Sequence, residues 1–301
     1  MNTQPTSAHP ATSAIRAYLG GSFNPVHNGH IQMAMQVYNK LLPIAKEEQR
    51  SLYVSLLPNA RSPFKQKTIA PEHRLAMLKL ATKDTPLQIS ELELWQSPPV
   101  YSIDSVRKLK QHYPNDSLIF IMGMDSLSSL DKWKDGLKLT DYVHLWVFER
   151  FANTNPVQAD QSVVTNTPET QVPVSQVPDS QVASIQMPIE LKKQITDIPA
   201  NLTQPINTLF LPVKQAPNQP LSIQQTNPQP LNNERQGRIY LDPYPIATIS
   251  STLIRKQLSQ PLFNTKLTST ELISNPSTAF IKLLNPAVYR YIIAHQLYSA
   301  A

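Results

Sequence analysis

The sequence has no cysteine and only six glycines in 301 residues. Without thiols there is no disulfide, no thiolate nucleophile and no cysteine-based metal site. Aromatic residues are also sparse, at 7%. No run of about 18 apolar residues occurs, so nothing reads as a membrane span. The first 14 residues, MNTQPTSAHPATSA, lack the basic start and apolar centre of a secretory signal. They are expected to form a disordered tail, and the protein is expected in the cytoplasm.

Charge is present but unevenly placed. The chain carries 27 Lys and Arg against 21 Asp and Glu, a net charge of +6. Residues 151–237 hold only four of the basic and six of the acidic ones, so the rest of the chain carries +8. A basic body attracts anions of any kind, from phosphorylated metabolites to nucleic acid or a membrane surface. An ordinary solvated surface satisfies the same count.

Proline is abundant where charge is not. Between Phe151 and Gly237 lie 12 of the 28 prolines, among many Gln, Asn, Ser and Thr. A crude repeat, QVPVS-QVPDS-QVAS, runs from Gln171 to Ser184. Such composition buries too little apolar surface to offset its ordering entropy. Residues 151–237 are therefore expected to be a long low-complexity insertion, largely disordered, with Ile189–Ile198 and Leu209–Val213 as short ordered pieces. Both its ends are expected near the active face, as a lid, a tether or a tolerated surface expansion.

Setting aside the tail and the insertion leaves 200 residues, 15–150 and 238–301, the size of one domain. Its pattern alternates. Strands are predicted at 15–19, Leu52–Leu57, Leu118–Met122, Val143–Phe148 and Arg238–Leu241. Helices are predicted at 30–41, ending before Pro43, and at Pro71–Thr82 with proline in the first turn. Another is expected over Ser102–His112 with Ser102 as N-cap, one after ISST at 249–252, and a last one over Pro286–Tyr298. Strands alternating with helices predict an α/β fold, a parallel sheet covered on both faces.

Three of the six glycines fall in one stretch, GGSFNPVHNGH, from Gly20 to His30, between a strand and a helix. Ligands of such folds lie beyond the carboxyl ends of the strands. Gly20 and Gly21 let a backbone approach a phosphate, and the following helix aims free amides at the same place. His27 and His30 can donate to phosphate oxygens; a tight turn with a histidine pair is the plainer reading. ISSTLIR, Ile249–Arg255, is a second helix start, with Ser250, Ser251 and Thr252 as caps or phosphate donors and Arg255 one turn inside.

HNGH followed late by ISSTLIR resembles the nucleotidyltransferase superfamily. LPNARSPFK, PEHRLAML, PVYSIDSV, IMGMDSLSSLDKW and LLNPAVYRYIIAHQLY, in that order, are similar to segments of bacterial nicotinate-nucleotide adenylyltransferases. The resemblance covers the whole 200-residue core. It implies a Rossmann-like sheet and transfer of AMP from ATP to nicotinate mononucleotide, releasing pyrophosphate, in NAD biosynthesis. ATP would be bound by Gly20, Gly21, Ser22, Phe23, His27, His30, Gly123, Asp125, Ile249, Ser250, Ser251, Thr252 and Arg255. His27, His30, Lys65 and Arg255 would act at the phosphates. The nicotinate nucleotide would meet Asn24, Lys65, Ser102, Asp125, Trp133 and Arg150, with Trp133 stacked on the pyridine ring. Mg²⁺ would be held mainly by ATP phosphates, with no protein metal site.

Alternatives stay open on the residues themselves. Trp133 is equally a partly buried core aromatic, and Asp125 equally an N-cap before SLSSL. Nicotinamide-nucleotide or phosphopantetheine adenylyl transfer, or a non-catalytic nucleotide-binding regulator, would use the same turns. The commoner family turn is GGTFDP, so Asn24 lacks a carboxylate, and Phe64 stands where histidine is usual. Neither nucleic acid nor membrane is expected as a partner, and whether the chain forms a homo-oligomer is not legible.

Overall fold

The computed structural model describes residues 13–60, 69–148, 187–206, 236–246, 249–259 and 281–298. The strands are β1 (Ile15–Gly21), β2 (Leu52–Pro58), β3 (Gln88–Ile89), β4 (Ser117–Gly123), β5 (His144–Phe148), β6 (Ile195–Thr196) and β7 (Ile239–Asp242). They form one sheet in the order β3-β2-β1-β4-β5-β7-β6, with every neighbouring pair parallel. The helices are α1 (Asn28–Glu47), α2 (Pro71–Thr82), α3 (Ser102–His112), α4 (Met124–Ser128), α5 (Ser251–Leu258) and α6 (Pro286–Ala294). Among the described residues no helix is long and apolar enough to cross a membrane.

Side chains alternate across the strands, so β1, β2, β4, β5 and β7 each feed two cores. Ile15, Ala17 and Leu19 of β1 and Ile119 and Ile121 of β4 pack into one core with residues of α1, α2, α5 and α6. Tyr18 of β1 and Leu118, Phe120 and Met122 of β4 face the other way, toward Ile103, Val106 and Leu109 of α3. A sheet buried on both faces explains runs such as LIFIM, which are apolar throughout. The expected α/β architecture, with helices on both faces, is the one observed.

Local boundaries differ from the pattern in four places. Helix α1 does not stop before Pro43 but continues to Glu47. A proline inside a helix costs about 3 kcal/mol. Here its ring is exposed, while Ala45 beyond it is fully buried and Ile44 packs on the core. Burial of that last turn offsets the lost hydrogen bond. Ser102 is not the N-cap of α3; extended Tyr101 occupies that position and no side chain caps the helix. Asp125 is likewise not a cap, because α4 starts one residue earlier, after Gly123. Helix α6 ends at Ala294, and Gln296 and Tyr298 then take left-handed conformations, with φ of 50° and 67°.

Part of the insertion is built into the sheet. Ile189–Ile198, expected to be ordered, supplies a 3-10 helix and edge strand β6; Leu209–Val213 lies outside the described residues. A second 3-10 helix, Pro199–Thr203, brings Leu202 into the core and seals the amino ends of the strands. There Arg50 donates to the carbonyls of Ser13, Ala14 and Thr203 and to Ser117 Oγ, while His144 Nε2 meets Gln204 O at 2.7 Å. The chain leaves β5 at the carboxyl end of the sheet but returns through Gly237 at the amino end, where Gly237 N–H donates to Thr140 O at 2.6 Å. The two ends of this segment therefore lie at opposite ends of the sheet rather than on one face.

Lys110 is the cation most deeply buried in α3, with its ammonium on Pro114 O at 2.9 Å. Burial lowers its pKa to about 8, against a smaller opposing pull from Asp116. An unfolded lysine titrates near 10.4, so above about pH 8 the unfolded chain holds the extra proton and stability from this group rises with pH. Below that window Lys110 is charged in both states and the cost of burying the charge is carried in full. Lys110→Met should unfold at a higher temperature than the parent chain at about pH 7, and the gap should narrow toward about pH 10. Thermal unfolding of both proteins at the two pH values checks this; a gap independent of pH would remove Lys110 as its source.

Candidate active site

The strand order places a switch point between β1 and β4, since the chain crosses from β1 toward β2 and later returns on the opposite side. The crevice beyond the carboxyl ends of those two strands is where such sheets bind ligands. The Gly20–His30 turn closes one wall, and Gly123–Asp125 at the end of β4 closes the other.

Packing shapes the turn. A Cβ on Gly20 would come within 2.7 Å of the Phe120 ring, and one on Gly21 within 3.0 Å of the Phe23 ring. Aromatic rings thus crowd both positions, Gly20 more tightly than Gly21, apart from any ligand. Phe23 is fully buried and has φ of 44°, a conformation that costs a bulky residue about 1–3 kcal/mol. Its ring stands edge-on to His30 at 4.9 Å. The Asn24–Pro25 bond is cis. At Gly29, the second residue of α1, a Cβ would meet His27 Nδ1 at 3.3 Å and Ile249 Cδ1 at 3.4 Å.

The two histidines are stacked, with ring centroids 3.6 Å apart. His30 Nδ1 accepts the His27 backbone N–H at 3.2 Å. With Nδ1 accepting, the neutral His30 ring carries its proton on Nε2, the tautomer that can donate to an anion.

Helix α5 docks onto this turn. Ser250 caps it, its Oγ accepting from Leu253 N at 3.5 Å. Ser251 Oγ donates to Pro25 O at 3.1 Å, and Arg255 donates to Asn24 O at 2.6 Å and to Thr252 Oγ1 at 3.0 Å. The three hydroxyls are therefore unequal. Ser250 and Thr252 accept these bonds and keep their own O–H to donate, whereas Ser251 uses its hydrogen on the turn. Ile249 reaches the same junction beside Gly29.

Two of the other expected residues, Ser102 and Trp133, belong to a second cluster. Ser102 opens α3, and Trp133 is half-buried against the second core, as are Tyr101 and Leu92. Lys134 Nζ lies 4.4 Å above the Tyr101 ring and 3.3 Å from Asp104 Oδ2, tying the Trp133 segment to the start of α3. Asp125 is exposed on α4, and Ser22 and Gly123 lie at the ends of β1 and β4. Lys65, Phe64 and Arg150 lie outside the described residues.

Two residues at the site were missed in the sequence. Arg74 of α2 is fully buried and donates to Ser22 O, Asn59 O and Ala60 O at 3.1, 2.6 and 2.7 Å. Burial lowers its pKa, yet a guanidinium stays charged at any ordinary pH. A signal was present: Arg74, Met77, Leu78 and Ala81 share one helix face, so the cation sits on an apolar stripe. The second is Tyr298, whose hydroxyl donates to Asn24 Oδ1 at 2.6 Å. It follows the end of α6, and no periodicity carries it there.

The profile of the cytidylyltransferase-like family matches residues 18–257. The chain belongs to that family. Among relatives, a probable nicotinate-nucleotide adenylyltransferase of Idiomarina loihiensis is 30% identical over 286 residues, which span 94% of this chain and 99% of that one. One of Psychromonas ingrahamii is 36% identical over 135 residues, 44% of this chain and 59% of the relative. Among solved structures, Plasmodium falciparum nicotinic acid mononucleotide adenylyltransferase complexed with NaAD superposes with a TM-score of 0.56 at 16% identity, covering 95% of this chain and 97% of that one. That likeness concerns the fold. The family's fold and the arrangement of strand, turn and helix described above agree.

Arg74→Lys keeps the charge but loses the fork that serves three carbonyls. Each buried carbonyl left without a donor costs about 1–3 kcal/mol. Arg74→Lys should therefore lower the denaturation midpoint in urea clearly, and Arg74→Met more so; a midpoint equal to the parent's would show that the carbonyls find other partners.

Proposed function

We propose that the chain transfers the adenylyl group of ATP to nicotinate mononucleotide, forming nicotinate adenine dinucleotide and pyrophosphate. The observation that carries this reading is the junction of two anion-binding starts: the stacked His27–His30 pair and the N-terminus of α5, joined through Arg255 to Asn24 and Ser251 to Pro25. A triphosphate spans such a junction, because each side offers donors and a positive helix end.

In the proposed reaction a phosphate oxygen of the nicotinate nucleotide attacks the α-phosphorus. The bond from the α-phosphorus to the oxygen bridging it to the β-phosphorus breaks, and pyrophosphate leaves with that electron pair. The acceptor brings its own nucleophile, so the protein's part is to position and to stabilise charge. His30 Nε2–H and His27 serve the reacting phosphoryl oxygens. The amides of α5, the hydroxyls of Ser250 and Thr252, and Arg255 hold the departing pyrophosphate. Gly20, Gly21, Ser22 and Phe23 shape the wall, and Gly123, Asp125 and Ile249 complete the ATP side. Lys65 and Arg150 are assigned beside the phosphates and the nicotinate nucleotide on the resemblance alone.

Mg²⁺ is proposed to arrive with ATP as part of the substrate, where it neutralises the triphosphate. The donor set fits that role: the turn offers imidazoles and an amide, Asn24, and among the described residues no group of three His, Asp or Glu could hold a metal. Phosphate oxygens and water are the natural ligands of a hard ion that dehydrates reluctantly. The nicotinate ring is assigned to Trp133, with Ser102 and the start of α3 toward its carboxylate. Asn24, which the resemblance assigns to the nicotinate nucleotide, is proposed instead on the phosphate side, because its carbonyl seats Arg255.

The test is pyrophosphate release with ATP, Mg²⁺ and either nicotinate or nicotinamide mononucleotide. Preference for the nicotinate form is expected, with His30→Ala lowering kcat roughly 10²- to 10³-fold. Binding of ATP without turnover of either nucleotide would instead favour a nucleotide-binding regulator.

A further inference from the structure

The end of the chain reaches into the phosphate turn. After α6 stops at Ala294, the left-handed residues Gln296 and Tyr298 fold the last described residues back, and the Tyr298 hydroxyl lands on Asn24 Oδ1 at 2.6 Å. Asn24 is almost fully buried, at 2% exposure, and it carries two bonds at once. Its side-chain oxygen takes Tyr298, and its backbone oxygen takes Arg255 at 2.6 Å. Burial pushes the Tyr298 pKa up against the nearby charges of Arg255 and Arg74, so the hydroxyl is an intact donor at neutral pH.

Chemistry makes the direction of that bond matter. An asparagine amide has an accepting end and a donating end, and a buried one has a definite orientation only if a partner selects it. A tyrosine committed to Oδ1 leaves the amide nitrogen as the end able to meet a ligand. An aspartate at this position, as in the commoner GGTFDP turn, would present only acceptors to an anionic substrate. We propose that Tyr298 is a positioning residue for the phosphate turn: by holding Asn24 Oδ1 it orients the amide as a donor and steadies the carbonyl on which Arg255 is seated. This rests on the reading of the turn as the ATP-phosphate site.

A purely structural tyrosine would lose stability on truncation and weaken both substrates together. A positioning tyrosine acts on the ATP side. In the full-length chain, Tyr298→Phe removes one hydroxyl and keeps the ring. Its affinity for MgATP, measured by calorimetry without the second substrate, is expected to fall about tenfold, the order of one lost hydrogen bond to a fixed polar group. The KM for nicotinate mononucleotide should change less than about twofold. Asn24→Ala should reproduce the loss, and adding Tyr298→Phe to it should have no further effect, because the second change acts only through the first.

MgATP affinity equal to the parent's, equal losses for both substrates, or full additivity of the two substitutions would each overturn the proposal. If the parent chain binds MgATP but turns over neither pyridine nucleotide, the functional reading fails while the calorimetric comparison still tests Tyr298.

Discussion

The carboxyl ends of seven parallel strands lie on the same side of the sheet, the side of the proposed phosphate site. Carbonyl oxygens and phosphates repel each other, and a sheet that binds anions at this edge has to neutralise its own backbone first. Arg74 meets that constraint. Its guanidinium, fully out of water, covers the carbonyls of Ser22, Asn59 and Ala60, which follow β1 and β2. Arg255 does the same for Asn24. A planar fork with five donors can satisfy diverging acceptors that an ammonium cannot. The shape of the turn, and therefore the position of His27 and His30, depends on these two cations.

Around that electrostatic frame the packing leaves little freedom. Phe23 is held at a positive φ by complete burial, with its ring against His30 and over Gly21. Local strain of this kind persists where the surroundings over-determine it. The benefit lies in preorganisation. Donors fixed before the substrates arrive need no reorganisation as charge develops, and that is the main way such a site accelerates a reaction whose nucleophile comes with the substrate.

The opposite end of the sheet is closed by different means. Arg50 gathers the carbonyls of Ser13, Ala14 and Thr203, and Thr203 Oγ1 returns a bond to Glu48. Residues 187–206, from within the proline-rich insertion, thus cover the amino ends of β1, β4 and β5 and add an edge strand. The sheet has one end left for ligands and one end sealed by its own crossover. The insertion is tied to the sealed end by His144, whose Nδ1 accepts from Arg238 N–H while Nε2 meets Gln204 O.

Periodicity and turn chemistry were enough to read the α/β class, the principal strands, Pro71 at the head of α2 and a hydroxyl cap within Ser250–Thr252, because these depend on neighbours within a few residues. The two helix starts proposed as anion sites were legible for the same reason, as short segments whose chemistry is local. What failed were features decided by distant partners. The continuation of α1 through Pro43 required knowing that Ala45 would be buried, and the two-residue strands β3 and β6 exist only because a sheet edge was there to pair with. Arg74 showed as a cation on an apolar stripe, but only the fold names the three carbonyls it serves. Tyr298 and Asn24 are separated by 274 residues, and the hydroxyl that joins them has no trace in local pattern. Sequence alone determined what each segment prefers to be; the tertiary structure decided which buried polar groups must answer one another.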